Sequence, residues 1–272
     1  MQIPIEDFYE DVLAKAARGL GLSTTQLSER TGLKKDAIRE ALRGNFVEDE
    51  AKEMAPVLDL DPDALVLLGH KSWRPAEIEL PGLAGFNSPF HDMTVNAFVV
   101  WDHSTKKAAI FDSGADASEL LEFVKSEGLD VQGTWITHTH GDHIADVNSI
   151  LKQVNCSVYV GSMEFANFGE PFDAGQTFSV GKLNIETRLT WGHAKGGITF
   201  VVRGLNRPVA IVGDALFAQS MGGGLESYPD AIRTTGAEIM TLPDDTVVCP
   251  GHGPLTSIEE QKKVNPFFAG KY

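Results

Sequence analysis

Cysteine is scarce in this sequence: only Cys156 and Cys249 occur among 272 residues. Each lies in an apolar, strand-like run, NCSVYV for the first and TVVCPG for the second. A buried free thiol is the ordinary interpretation of a cysteine in such a run. The scarcity argues against a disulfide framework and predicts a reducing compartment.

Long apolar runs are also absent. No such run reaches the roughly 18 residues that a membrane span requires. The first residues, MQIPIEDFYEDV, carry acids where a signal peptide has basic and then apolar residues. We therefore expect no membrane segment and a cytoplasmic location.

Basic side chains are in deficit, with 23 Lys and Arg against 38 Asp and Glu, so the formal charge is -15. Such a field repels phosphate backbones and anionic lipid surfaces, which favours a small-molecule substrate over nucleic acid. The hydrophobic content of 42% at this length predicts a folded chain with one large and one small domain.

Residues 5–68 lack strand signals, and residues 1–70 are predicted to form an all-helical domain of five helices. Ser23 followed by Gln26 is typical of a capping box, and Gly32 is expected to end the helix that it opens. A further helix is predicted to begin with Asp61 as its cap and Pro62 at its first position.

The helical domain resembles the helix-turn-helix unit of Cro and phage-repressor-type regulators. Residues 24–30 match the first motif helix, and residues 34–43 stand in the recognition position. Residues 1–70 carry eight basic and fourteen acidic side chains, a charge of -6, so we expect assembly, as a homo-oligomer, or protein contact rather than strong DNA binding. A local basic patch keeps DNA binding by a dimer open; it comprises Lys34, Lys35, Arg39 and Arg43.

Proline and glycine cluster in residues 71–85, which predicts a linker into a second domain at 86–272. Apolar strand-like runs alternate there with helical spacing, so the domain is predicted to be α/β. The predicted strands are VNAFVVW, AAIFD, GTWIT, SVYV, LNIETRL, ITFVVR, PVAIVGD and TVVCP, and the predicted helices are SELLEFVKSEG and HIADVNSILKQV.

Four ligand-type side chains stand directly after one predicted strand, in GTWITHTHGDHIADV. Alternate residues of an extended segment share a face, so His138 and His140 are expected to grip one metal ion together. Asp142 and His143, where the chain turns into a helix, are expected to face a second ion. Carboxylates without cysteine favour an open catalytic site over a closed structural zinc site.

Three later segments each place one ligand-type residue after an apolar strand and beside glycine. These residues are His193 in TWGHAKGG, Asp214 in AIVGDALF and His252 in VCPGHGP. A carboxylate can donate one oxygen to each of two ions, so Asp214 is the expected bridging ligand. The expected cofactors are two divalent ions, Zn²⁺ first, with iron or manganese as alternatives that accept the same ligands.

The chain resembles the metallo-β-lactamase superfamily, whose signature THxHxDH stands here at residues 137–143. The resemblance covers roughly residues 80–272 and implies an αββα sandwich of two facing mixed sheets. It also implies a division of the ligands: His138, His140 and His193 would hold the first metal, Asp142, His143 and His252 the second, and Asp214 would bridge them. Asp142 and Asp214 are the expected catalytic carboxylates, and Asp112 is expected to orient a ligating histidine.

Within the superfamily, the segments GDALFAQSMGG and PGHGPLTSIEEQKKVNPF look most like glyoxalase II. The resemblance implies hydrolysis of small acyl thioesters by a metal-bridging hydroxide. Two departures concern the thiol carrier: Lys195 replaces a frequent proline, and only 20 residues follow His252. No cysteine stands in the second metal site, which disfavours β-lactamase activity.

Three alternatives remain open. The first is a mononuclear iron oxygenase acting on persulfides, whose iron would use only His138, His193 and Asp214. The second is a lactonase, and the third is a transcriptional regulator whose second domain senses a ligand.

Overall fold

The computed structural model describes residues 3–272. Helices fill the first part of these residues, and strands begin at Leu83. The helices are α1 (Tyr9–Gly19), α2 (Thr24–Thr31), α3 (Lys35–Ala41), α4 (Glu48–Met54), α5 (Pro62–Gly69), α6 (Ser118–Ser126), α7 (Gly141–Ile144), α8 (Val147–Gln153), α9 (Tyr228–Glu238) and α10 (Ile258–Val264).

The strands form two six-stranded mixed sheets. The first sheet has the order β1 (Leu83–Phe90), β2 (Met93–Trp101), β3 (Lys107–Phe111), β4 (Asp130–Ile136), β5 (Ser157–Gly161) and β6 (Glu170–Phe172). The second has the order β12 (Thr256–Ser257), β11 (Val247–Pro250), β10 (Val209–Gly213), β9 (Ile198–Arg203), β8 (Leu183–Leu189) and β7 (Thr177–Val180).

One apolar core lies between the two sheets. Phe98, Phe111 and Trp135 of the first sheet pack there with Phe200 and Ile211 of the second. Strands β2, β3 and β10 are buried almost throughout, because helices cover the outer face of each sheet. The predicted α/β fold with two facing sheets is confirmed.

The N-terminal helices cover the outer face of the second sheet. Tyr9 and Leu13 of α1 belong to one apolar cluster with Val201, Ala210 and Phe267. This packing makes α1 to α5 one layer of the molecule. Strand β1 takes in residues 83–85 of the predicted linker. The domain boundaries 1–70, 71–85 and 86–272 stay a prediction.

The capping signals act as predicted. Ser23 Oγ accepts a hydrogen bond from Gln26 N at 3.3 Å, and Gly32 ends α2 with φ 76°. Asp61 Oδ1 accepts from Ala64 N at 2.8 Å, with Pro62 at the first position of α5. The helix-turn-helix assignment itself stays a prediction. Among the described residues, none of the helices is long and apolar enough to cross a membrane.

Candidate metal centre

Strand ends deliver the predicted ligands to one edge of the sandwich. His138 and His140 follow β4, and His193 follows β8. Asp214 stands directly after β10, and His252 follows β11. A ligand fixed at the end of a buried strand has little freedom to turn away, so the two sheets hold the site rigid.

Four of the side chains form a first group. His140 Nδ1 lies 3.0 Å from both His138 Nε2 and His193 Nε2. Asp214 Oδ2 lies 3.2 Å from His193 Nε2 and 3.8 Å from His138 Nε2. One ligand atom from each of the four lies within 4.8 Å of the others.

The other three side chains form a second group, which shares Asp214 with the first. Asp142 Oδ2 lies 3.1 Å from His252 Nε2 and 3.6 Å from His143 Nε2. Asp214 turns Oδ1 to His143 Nε2 at 3.3 Å and Oδ2 to His252 Nε2 at 3.5 Å. The Asp214 carboxylate therefore lies between the two groups, where a bridging ligand would be.

The donor set fits a pair of divalent cations. His143 Nε2 and Asp214 Oδ1 are buried and have no hydrogen-bond partner among residues 3–272. Unpaired polar atoms are costly to bury, so a missing partner is implied. Two nitrogens bound at about 2.0–2.1 Å to one tetrahedral ion are separated by roughly 3.3 Å, close to the spacing within the first group. Imidazole and carboxylate suit zinc, iron and manganese alike.

Hydrogen bonds orient the ligating rings through their other nitrogens. His143 Nδ1 contacts Asp112 Oδ2 at 2.8 Å, which is the contact predicted for Asp112. His193 Nδ1 donates to Gly223 O at 2.9 Å, and His252 Nδ1 donates to Thr94 O at 2.6 Å. Such partners fix the tautomer and aim the free nitrogen at the metal.

Glycine permits the close approach of backbone at the centre. A Cβ on Gly251 would lie 2.2 Å from Asp214 Oδ1 and 2.6 Å from His143 Cε1. A Cβ on Gly222 would lie 2.1 Å from Asp214 O. Any side chain at these two positions would displace the ligands.

Neighbouring carboxylates raise the pKa values of two of the candidate ligands, His143 and His252. Burial lowers the pKa of His143, but Asp214 and Asp112 outweigh it and raise that pKa to about 10. Burial likewise opposes protonation of His252, yet hydrogen bonds to Asp142 and Asp214 raise its pKa to about 11. Both shifts favour the protonated form of the ring, because carboxylates lie beside it.

A residue that the motifs did not reveal links the two ligand loops of the first group. The Glu164 carboxylate accepts from Thr139 N at 2.8 Å and from Gly196 N at 2.6 Å. No local pattern marks Glu164, because its partners are distant in sequence. Lys195, in contrast, is exposed.

Comparison with known proteins agrees with this geometry. Residues 92–252, more than half of the chain, match the family model described as "Metallo-beta-lactamase superfamily". This chain belongs to the metallo-β-lactamase superfamily. The members of that superfamily are metal-dependent hydrolases that bind divalent metals.

The matches to two curated relatives cover nearly the whole length of each relative. "Hydroxyacylglutathione hydrolase GloC" of Haemophilus influenzae is 28% identical over 65% of this chain and 93% of its own length. "Probable metallo-hydrolase YqgX" of Bacillus subtilis is 26% identical over 61% of this chain and 90% of its own.

Solved structures share the fold. BLEG-1, described as a B3 metallo-beta-lactamase, has a TM-score of 0.59 and 26% identity over 69% of this chain and all of its own. ETHE1 from Myxococcus xanthus has a TM-score of 0.60 and 24% identity over 70% of this chain and 86% of its own, a likeness that shows the fold alone.

Proposed function

We propose that this superfamily member hydrolyses small acyl thioesters at a two-metal centre. The observation that carries the proposal is the single carboxylate, Asp214, shared by two complete ligand groups. His138, His140 and His193 would hold one ion, and Asp142, His143 and His252 the other. Zinc is the first expectation for both.

When bound, two divalent ions supply a hydroxide nucleophile near neutral pH and polarise the substrate carbonyl. The chain's own contribution is preorganisation, because the ring contacts of His143, His193 and His252 remove rotational freedom before substrate arrives. Asp142 would also accept a hydrogen bond from the attacking water and so orient it.

The lack of a strong general acid in the ligand loop favours a thioester substrate. A thiolate leaves without protonation, and the ligand loop at residues 137–143 contains no lysine, tyrosine or cysteine that could serve as a strong general acid. GloC, a relative, is named as a hydrolase of hydroxyacylglutathione, which is a thioester. Oxygen esters and lactones are proposed as slower substrates.

Apolar side chains near the centre suit a small acyl group. Phe90 Cζ would lie 3.9 Å from a Cβ on Gly141, beside the ligand loop. Met93 is 40% exposed next to Thr94, whose carbonyl holds His252. Leu225 is 71% exposed close to Gly223, whose carbonyl holds His193.

The mononuclear iron oxygenase is the main competing function. It would use only His138, His193 and Asp214 and would give no metal role to the second group. The close spacing of Asp142, His143 and His252 favours the hydrolase.

For the helical unit, we propose assembly or protein contact in preference to DNA binding. Two of the four cations of its basic patch are paired within α3 and at its end: Arg39 with Asp36 at 2.6 Å and Arg43 with Glu40 at 2.7 Å. Those pairs lower the positive potential available to phosphates. Salt-sensitive, sequence-specific DNA binding in a titration at physiological ionic strength would contradict this proposal.

A substrate panel tests the reaction. Protein loaded in turn with zinc, manganese and iron is assayed on S-lactoylglutathione, an acyl-coenzyme A, a homoserine lactone, a cephalosporin and glutathione persulfide. We expect the thioesters to have the highest kcat/KM. Faster persulfide consumption with oxygen uptake, or lactone rates higher by orders of magnitude, would contradict the thioester assignment.

A further inference from the structure

A largely buried ion pair connects the N-terminal residues to the part of the chain that carries the candidate ligands. Asp7, at 7% exposure, pairs with Lys15 of α1. Lys15 Nζ also donates to Met221 O at 2.8 Å, across 206 residues of sequence. Ser220 Oγ donates to Asp7 Oδ2 at 2.5 Å. The two charged groups therefore contact neighbouring residues of one loop, Asp7 at Ser220 and Lys15 at Met221.

That loop, residues 214–223, begins at the bridging carboxylate and ends at a histidine contact. Gly222 N, directly after Met221, donates to Asp214 O at 3.0 Å. Gly223 O accepts from His193 Nδ1 at 2.9 Å. A shift of Met221 would therefore move the groups that aim His193.

The same lysine reaches the second ligand group through an aromatic ring. Lys15 Nζ lies 5.2 Å from the centre of the Phe217 ring, within the range of a cation–π contact. The Phe217 ring lies edge-to-face with that of His252, at 5.6 Å and 86°. Lys15 is thus two contacts from a ligand of each group.

Stability alone does not explain this arrangement. A buried ion pair costs so much to desolvate that an apolar pair of similar volume is often as stable. Lys15 and Asp7 instead make three directed contacts with the loop, two hydrogen bonds and one cation–π contact, and these fix its position. Directed contacts of this kind serve position better than they serve stability.

We propose that Asp7 and Lys15 are positioning residues of the metal centre, and that α1 therefore belongs to the active-site architecture. They set the 214–223 loop, which aims His193 and packs Phe217 against His252. The inference rests on the proposed metal centre and is independent of the thioester substrate.

The test compares Lys15→Met and Asp7→Asn with Lys52→Met, which breaks the exposed Lys52–Glu48 pair in the same helical unit. Three quantities are measured: the melting temperature, the affinity for zinc by chelator competition, and the absorption spectrum of the cobalt-substituted protein. We expect Lys15→Met and Asp7→Asn to weaken zinc binding about tenfold, as loss of a supporting contact does, and to change the cobalt spectrum. Lys52→Met is expected to match the wild type.

Two further variants cover a failure to fold. Ser220→Ala removes one hydroxyl and keeps the ion pair, so a smaller change in the same direction is expected. Lys15→Arg keeps the charge and is expected to restore most of the affinity lost in Lys15→Met. Unchanged zinc affinity and cobalt spectrum in both Asp7→Asn and Ser220→Ala would overturn the inference. These readouts need no substrate, so they separate it from failure of the thioester proposal.

Discussion

Asp112 Oδ2 lies 2.8 Å from His143 Nδ1 and thereby turns His143 Nε2 toward Asp214. Asp112 has a positive φ of 58° and also accepts from Thr137 N at 2.7 Å. One carboxylate thus holds both the ligand loop and a ring of the second group.

Asp112→Asn should weaken the binding of the second ion by about 10–100-fold, because an amide is a poorer partner for the ring N–H. Asparagine tolerates the left-handed backbone, so the fold should persist. Isothermal titration of metal-free protein with zinc measures the effect, and Asp130→Asn, at an exposed position, is the control. Equal zinc affinities in the two variants would contradict the role given to Asp112.

In Asp214→Ala, the number of metal ions bound per chain should fall below two. Activity should fall by about 1000-fold or more, since several kcal/mol of charge stabilisation are lost. The fold should remain, because β10 is anchored by the core on both faces. Elemental analysis together with circular dichroism measures both expectations. Two ions retained in Asp214→Ala would refute the bridging position.

The metal-free protein should lose stability as pH rises above neutrality. The folded-state pKa values of His143 and His252, about 10 and 11, lie above the ordinary value near 6.5. Their protonation therefore stabilises the folded state fully below about pH 6.5, and this contribution is lost as pH rises through about 10–11. Urea unfolding of chelator-treated protein at several pH values measures how the free energy of unfolding changes with pH.

The control for the pH experiment is Asp214→Asn, which removes a main cause of both raised pKa values. Its stability should fall less steeply over the same range. Metal-loaded wild-type protein should also be less sensitive, because cations replace the protons. If the free energy of unfolding of the metal-free wild type did not change with pH over this range, the stabilising effect assigned to protonation of His143 and His252 would be contradicted.

Leu13→Ala should destabilise the whole molecule by about 2–5 kcal/mol, as expected for a fully buried leucine. The matched control is Leu20→Ala, since Leu20 is 42% exposed at the end of the same helix. Because α1 shares a core with the second sheet, one cooperative transition is expected to shift in chemical denaturation. A separate early transition, with the sandwich unaffected, would show that the helices fold as an independent unit.

The candidate ligands can be read from the sequence because their signals are local. Residues 138–143 follow a strand within one short run, and His193, Asp214 and His252 each stand beside glycine after a strand. Helix caps such as Ser23 and Asp61 are likewise encoded within four residues. These parts of the prediction need no knowledge of the tertiary structure.

Contacts between distant segments could not be predicted in this way. Glu164 has no motif, and Met221, whose carbonyl accepts a hydrogen bond from Lys15, lies 206 residues away from it. Tyr228 likewise packs against Gly19 at the end of α1, although the two residues lie far apart in the sequence. The continuous apolar pattern that marks the central strands is also missing from the edge strands of the two sheets, β1, β6, β7 and β12.

Metal stoichiometry measured together with turnover tests the central claim most directly. Protein purified without chelators is analysed for zinc, iron and manganese, and the same preparation is assayed with S-lactoylglutathione and with glutathione persulfide. The two-metal thioesterase predicts two ions per chain and hydrolysis of the thioester without oxygen uptake. One tightly held iron per chain, with persulfide-dependent oxygen uptake and no thioester hydrolysis, would contradict it.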